Sequence, residues 1–133
     1  MGIARMIVLD THALIWWTLD KPKLSETALG LCDEIPKSGG IVSAISLWEI
    51  GIKTKRGQLD LGLELDDYAQ RLRRLKGVEI VSVSVEHWLG NLKLQWDHRD
   101  PADRTIVATA RLLDLPLISK DAEIRAFYSK AVW

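Results

Sequence analysis

A chain of 133 residues with 47% hydrophobic content is long enough for one domain with a real core, too short for two comfortable ones and too apolar to be disordered. Its 18 basic and 18 acidic side chains cancel to a formal net charge of 0, which excludes nucleic-acid binding through bulk charge and leaves a local basic patch or metal ions as the routes. The single cysteine, Cys32, excludes an intrachain disulfide and a cysteine zinc site, no stretch has the length of a membrane span or a signal peptide, and a cytoplasmic protein without a membrane partner is expected.

Met6–Leu9 is a short unbroken apolar run whose branched residues favour a strand buried on both faces, as in a parallel sheet covered by helices. It ends on Asp10 and Thr11, and a helix is predicted over Ala13–Leu19, stopped by Asp20-Lys21-Pro22. Asp10 therefore fits two roles, the N-cap of that helix and a site acid at a strand's carboxyl end. Ser25 caps a second predicted helix to Asp33, and Pro36 with Gly39-Gly40 marks a loop. Ile41-Val42 is a brief strand, and Ile45–Lys55 a helix whose apolar face is expected to be Ala44, Leu47, Trp48 and Gly51. Glu49 is the only charge between Gly40 and Lys53. It has a visible ion-pair partner one turn on, Lys53, and is otherwise a candidate functional acid.

A helix from Asp66 or Asp67 to Lys76 sets Tyr68, Leu72 and Leu75 on one stripe and Arg71, Arg73, Arg74 and Lys76 on the other, a face suited to solvent or to phosphates. Val78–Val83 is a third strand, followed by a helix over Val85–Leu92 in which His87 and Trp88 are read as structural. In Asp97–Arg104, Asp100-Pro101 has the form of an N-cap with proline at the first helical position, and Asp103 falls where an acid favours the helix dipole. His98 and Arg99 beside them are candidates for substrate phosphates or incidental loop residues. Leu115–Ser119 is a fourth strand, ending at Lys120-Asp121; a short helix over Ala122–Phe127 and an edge strand at Ala131–Trp133 complete the chain. Strands and helices alternate, so residues 1–133 are expected to form one three-layer α/β/α domain around a mostly parallel sheet of four to five strands.

Four acids stand out by position: Asp10, Glu49, Asp103 and Asp121. Each has its own structural use, but α/β units deliver them to one sheet edge. Clustered carboxylates repel, by about 4 kcal/mol per close pair at an effective dielectric near 20, and need protons or cations. Oxygen-only ligands suit Mg²⁺, with Mn²⁺ as the alternative, and such ions serve phosphodiester displacement.

Ile7-Val8-Leu9-Asp10-Thr11, Ser46-Leu47-Trp48-Glu49-Ile50, Arg99-Asp100-Pro101-Ala102-Asp103-Arg104 and Leu117-Ile118-Ser119-Lys120-Asp121, in that order, resemble the motifs of PIN-domain nucleases. The resemblance is strongest to the VapC toxins of bacterial type II toxin–antitoxin pairs. It implies a Mg²⁺-dependent endoribonuclease with RNA as substrate, a cognate antitoxin as partner and a homodimer. It carries the catalytic and metal roles onto Asp10, Glu49, Asp103 and Asp121, with Thr11, Ser46 and Asp100 in support. Lys53, Arg71, Arg74, Arg99 and Arg104 are then the candidate RNA contacts. Two rivals are an aspartyl-phosphate or dehalogenase-like hydrolase with Asp10 as nucleophile, and a non-catalytic binding module on the same fold. The first wants a second acid two residues after Asp10, where this chain has His12.

Overall fold

The computed structural model describes residues 5–133; residues 1–4 of the expected domain lie outside the described residues. Strand β1 (Ile7–Leu9) is wholly buried and alternates its side chains. Ile7 and Leu9 enter one core and Val8 the other. Helix α1 (Thr11–Leu19) follows at once, then a single 3₁₀ turn at Lys21–Lys23. Helix α2 (Glu26–Asp33) begins at its Ser25 cap, whose hydroxyl accepts from the Ala28 N–H at 3.0 Å. The expected loop at Pro36 is instead one helical turn, α3 (Ile35–Ser38), with the proline in the first turn, where a missing N–H costs nothing.

Strand β2 (Gly40–Ser43) leads into α4 (Ala44–Lys55). The buried residues of α4 are Ser46 and Ile50, and Trp48 is 57% exposed, which corrects the expected apolar face. Hydrophobicity alone misplaced it: Ser46 goes inside because its hydroxyl finds a buried partner in Thr11, 3.0 Å away. Helix α5 (Leu65–Arg74) starts earlier and ends earlier than its charges suggested. Leu75 falls beyond it and is 40% exposed, while Tyr68 and Leu72 are buried as expected.

Strand β3 (Val78–Val81) precedes α6 (Val85–Lys93), α7 (Pro101–Leu113), the two-residue strand β4 (Leu117–Ile118), α8 (Ala122–Phe127) and the edge strand β5 (Ala131–Val132). Strands β3 and β4 are both shorter than their apolar runs. Gly77, at φ +85°, lies immediately before β3, where a Cβ would sit 2.1 Å from the Ile35 carbonyl oxygen, so only glycine allows that crossing.

The five strands pair in the order β3-β2-β1-β4-β5, and each pairing is parallel. One face packs against residues of α1, α2, α4 and α5, including Leu14, Ala28, Ile50 and Leu72. The other packs against α7 and α8 through Ile106, Val107, Ala110 and Ile124. This is the expected three-layer arrangement, with five strands. Cys32 is fully buried, and burial pushes its thiol up to about 12, which leaves it unreactive. Among the described residues no helix is long and apolar enough to cross a membrane.

The order fixes where a ligand belongs. After β1 the chain moves to β2 on one side and later returns to β4 on the other. The gap between β1 and β4, above their carboxyl ends, is therefore the switch point at which open α/β sheets bind ligands.

Candidate active site

Asp10 leaves β1 at that switch point and is only 4% exposed. Its capping role is real, and it also stands at the strand's carboxyl end, the position read from the sequence. Its carboxylate accepts from the Ala13 N–H at 2.8 Å, capping α1, while its own N–H donates to the Ile118 carbonyl across the gap at 3.1 Å. Burial pushes its pKa up to about 6; the Ser119 hydroxyl and the Ala13 N–H oppose that rise, and the charges of Asp103 and Asp121 add to it. Asp121 likewise caps α8, accepting from the N–H groups of Glu123 at 2.8 Å and Ile124 at 3.2 Å. Asp100 caps α7 through the Asp103 N–H at 3.0 Å. The positive ends of three helices thus hold three acids in fixed directions.

Asp103 lies one helical turn inside α7. Burial pushes it up to about 6, a bond from His98 draws it down, and Asp100 and Glu49 push it up again. Glu49 points from α4 and has a split fate. Its Oε2 is 3.8 Å from Lys53 Nζ, the pair read from the sequence, but its Oε1 is buried with no partner. An orphaned carboxylate oxygen is costly and calls for a proton or a cation. The acids sense one another electrostatically, yet among the described residues no three of them, with or without histidine or cysteine, are close enough to form a ready coordination shell. The site is a loose group of acids, an open bowl in charge rather than a closed cage. Thr11 and Ser46, the supporting hydroxyls, are spent on each other and tie α1 to α4 beneath it.

Of the expected RNA contacts, Lys53 stands beside the acids, ion-paired with Glu49 at 3.8 Å and 3.4 Å from His12 Nε2. Arg99 borders a surface hollow with His98 and Glu123. Arg71 lies instead on a cavity of about 280 Å³ between α1 and α5 that none of the four acids lines, and Arg74 closes the same helix. Arg104 corrects its expectation. Its guanidinium donates to the carbonyls of Asn91 at 2.7 Å, Leu94 at 3.1 Å, His98 at 3.1 Å and Trp96, and its Nε to Asn91 Oδ1 at 3.2 Å. With those donors committed to the last turn of α6 and the loop after it, Arg104 is a staple and has little left for phosphate.

His98 is the functional candidate that sequence reasoning undervalued. Its Nε2 lies 2.8 Å from Asp103 Oδ2 and its Nδ1 hydrogen-bonds Glu123, so one ring links α7 to α8. Burial lowers its pKa, but the two carboxylates outweigh burial and carry it above the ordinary histidine value. Trp96 stacks on it at 4.5 Å and on Phe127 at 4.7 Å, fixing the ring from behind. Glu123 is 25 residues away, and nothing local in the chain advertises the contact.

An open, all-parallel α/β domain with a carboxylate bowl at its switch point is the class that fold and geometry define. The chain belongs to the PIN domain family, whose family model matches residues 7–130. It is 27% identical over 120 residues to ribonuclease VapC22 of Mycobacterium tuberculosis, covering 90% of each chain. In fold it is similar to a toxin–antitoxin complex from Klebsiella pneumoniae, with a TM-score of 0.65 and 21% identity over 96% of each chain. It is also similar to VapBC2 from Rickettsia felis bound to a promoter DNA fragment, with a TM-score of 0.65 and 14% identity over 92% of each chain.

Proposed function

We propose that this chain is a VapC-type toxin of a type II toxin–antitoxin pair, a cytoplasmic endoribonuclease that depends on Mg²⁺ or Mn²⁺. The observation that carries the reading is the buried, unsatisfied Glu49 oxygen on a side chain whose charge, with burial, disfavours ionisation of Asp103. Family membership and the VapC22 relative support the nuclease class. The donor set is all oxygen, which fits a hard divalent cation held by Asp10, Glu49, Asp103 and Asp121, with Asp100 at the rim. When bound, such an ion supplies Lewis acidity toward the phosphodiester and lowers the pKa of water.

The chain's own residues do the remaining work. The helix caps aim Asp10 and Asp121, His98 holds one oxygen of Asp103, and Lys53 and Lys120 place positive charge at the rim for phosphate. The aspartyl-phosphate alternative gains no support here, since His12, where the second acid is wanted, lies against Trp16 and Lys53.

The partners follow from surface chemistry. Val85, Trp88, Leu89 and Leu92 of α6, with Trp48 of α4 and Leu112 of α7, are exposed apolar residues suited to the homodimer contact. The cavity between α1 and α5, apolar through Trp17, Leu63 and Leu75 and basic at Lys21 and Arg71, suits an antitoxin segment carrying apolar and acidic residues. The test of the function is cleavage of total RNA by the purified protein with Mg²⁺ or Mn²⁺. EDTA, Asp10→Asn and Glu49→Gln should each abolish it. Undiminished cleavage by both variants, or no metal-dependent cleavage by the wild type, overturns the proposal.

A further inference from the structure

A pocket shares Asp10 and Asp121 with the proposed metal site and reaches past them to side chains that the metal chemistry does not use. Asp10, His12, Trp16, Lys120 and Asp121 line an opening of about 330 Å³. His12 and Trp16 are one turn apart on α1, so they share a face of the helix that Asp10 caps. Their ring centres are 5.6 Å apart at an interplanar angle of 40°, and Trp133 packs against Trp16 in a T-shaped pair with ring centres 5.7 Å apart. Lys120 Nζ stands 5.6 Å above the Trp16 ring and makes no ion pair among the described residues, although Asp121 is its neighbour in the chain. An acid wall, an aromatic wall and an ammonium group resting on the aromatic face are the three surfaces that a nucleotide needs. The ammonium matches phosphate, the rings match a base, and the acids define where the scissile bond must lie.

Resting on the ribonuclease reading above, we propose that this pocket is a nucleobase subsite. The unpaired base of a nucleotide next to the scissile phosphate stacks on Trp16, and Lys120 moves off the ring to a phosphate oxygen. Stacking requires a base splayed out of any helix, so the subsite selects single-stranded or looped RNA.

The test is a cycle between protein and RNA. A random-sequence single-stranded RNA pool, incubated with the protein and Mg²⁺ or Mn²⁺ and read by sequencing, gives the preferred cut. The matching short oligomer is then made with an abasic ribose on either side of that cut. For the wild type, one abasic position should lower kcat/KM by about tenfold or more, as expected for losing one aromatic stack, chiefly through KM. Trp16→Ala should show a similar loss on intact RNA and little further loss on that abasic oligomer, while Trp16→Phe keeps most of the activity. If Trp16→Ala does not fold, Trp16→Leu keeps apolar bulk without a ring and takes its place. Equal cleavage of intact and abasic RNA by the wild type at both positions, or losses that simply multiply, overturns the subsite and leaves the ribonuclease reading standing. A wild type that cuts no RNA at all overturns both.

Discussion

Replacing Asp10 by asparagine should stabilise the metal-free protein at neutral pH while abolishing cleavage. Burial and neighbouring acids raise the Asp10 pKa from 3.8 to about 6. At about 1.36 kcal/mol per pKa unit, ionising it costs about 3 kcal/mol more in the fold than in the unfolded chain. A raised carboxyl stabilises the fold fully below its unfolded pKa, and that contribution disappears as pH rises through the folded value. At pH 7 wild-type Asp10 is therefore a liability, and near pH 4 it is almost none. Asparagine keeps the shape and an oxygen to accept from the Ala13 N–H, and its amide can donate to the Ser119 hydroxyl. Allowing for imperfect amide pairing, the variant should gain about 1–3 kcal/mol at pH 7, or on the order of 4–12 °C in melting temperature for a chain of this size. Thermal melts in EDTA at pH 4, 5, 6 and 7 measure it: the advantage should grow with pH and nearly vanish at the acid end. A variant that melts at or below the wild type at pH 7, with the same pH slope, refutes the reasoning.

Mg²⁺ or Mn²⁺ at ten times its dissociation constant should add about 1.4 kcal/mol, a rise of roughly 3–6 °C over EDTA, and Glu49→Gln should diminish the increment; identical wild-type midpoints at metal levels that support cleavage count against a preorganised site. His98→Ala removes the bond that draws Asp103 down, so the acid limb of the pH–rate profile should move to higher pH; an unmoved limb shows that His98 does not tune Asp103. Arg104→Met leaves several loop carbonyls without their donor and should cost about 3 kcal/mol or more, seen as a drop in melting temperature; full stability with weakened RNA cleavage would return Arg104 to the substrate surface.

The layers, the strands and the sheet-edge position of the acids were legible because each depends on local pattern. Ile7-Val8-Leu9 is buried on both faces, and Asp10, Ser25 and Asp100 cap helices as their types demand. What could not be read depends on pairing across the fold. Ser46 turns inward only because Thr11 faces it, and Trp48 is exposed as a result. Arg104 is spent on carbonyls of the last turn of α6 and of the irregular loop after it, a demand that no charge pattern displays. His98 gains meaning from Glu123, which reaches it only because β4 returns beside β1 and sets α8 next to α7.

The helix caps and the electrostatic strain belong to one device. A carboxylate that merely caps a helix gains from the dipole and from solvent, and has no reason to be buried or to face its own kind. Asp10 is buried, and it and Asp103 are pushed up toward neutrality by burial and by other acids. Capping supplies direction without requiring a cation partner, so Asp10 and Asp121 stay aimed at the bowl when nothing neutralises them. Lys53 shows only partial neutralisation: it pairs with one oxygen of Glu49 at 3.8 Å and leaves the other buried and unpartnered. The fold therefore holds its acids in a geometry that is unfavourable alone and becomes favourable once positive charge enters. On the proposed reading, that difference in free energy is what gives a divalent ion its preference for the folded state, and it is the same difference that Asp10→Asn would remove.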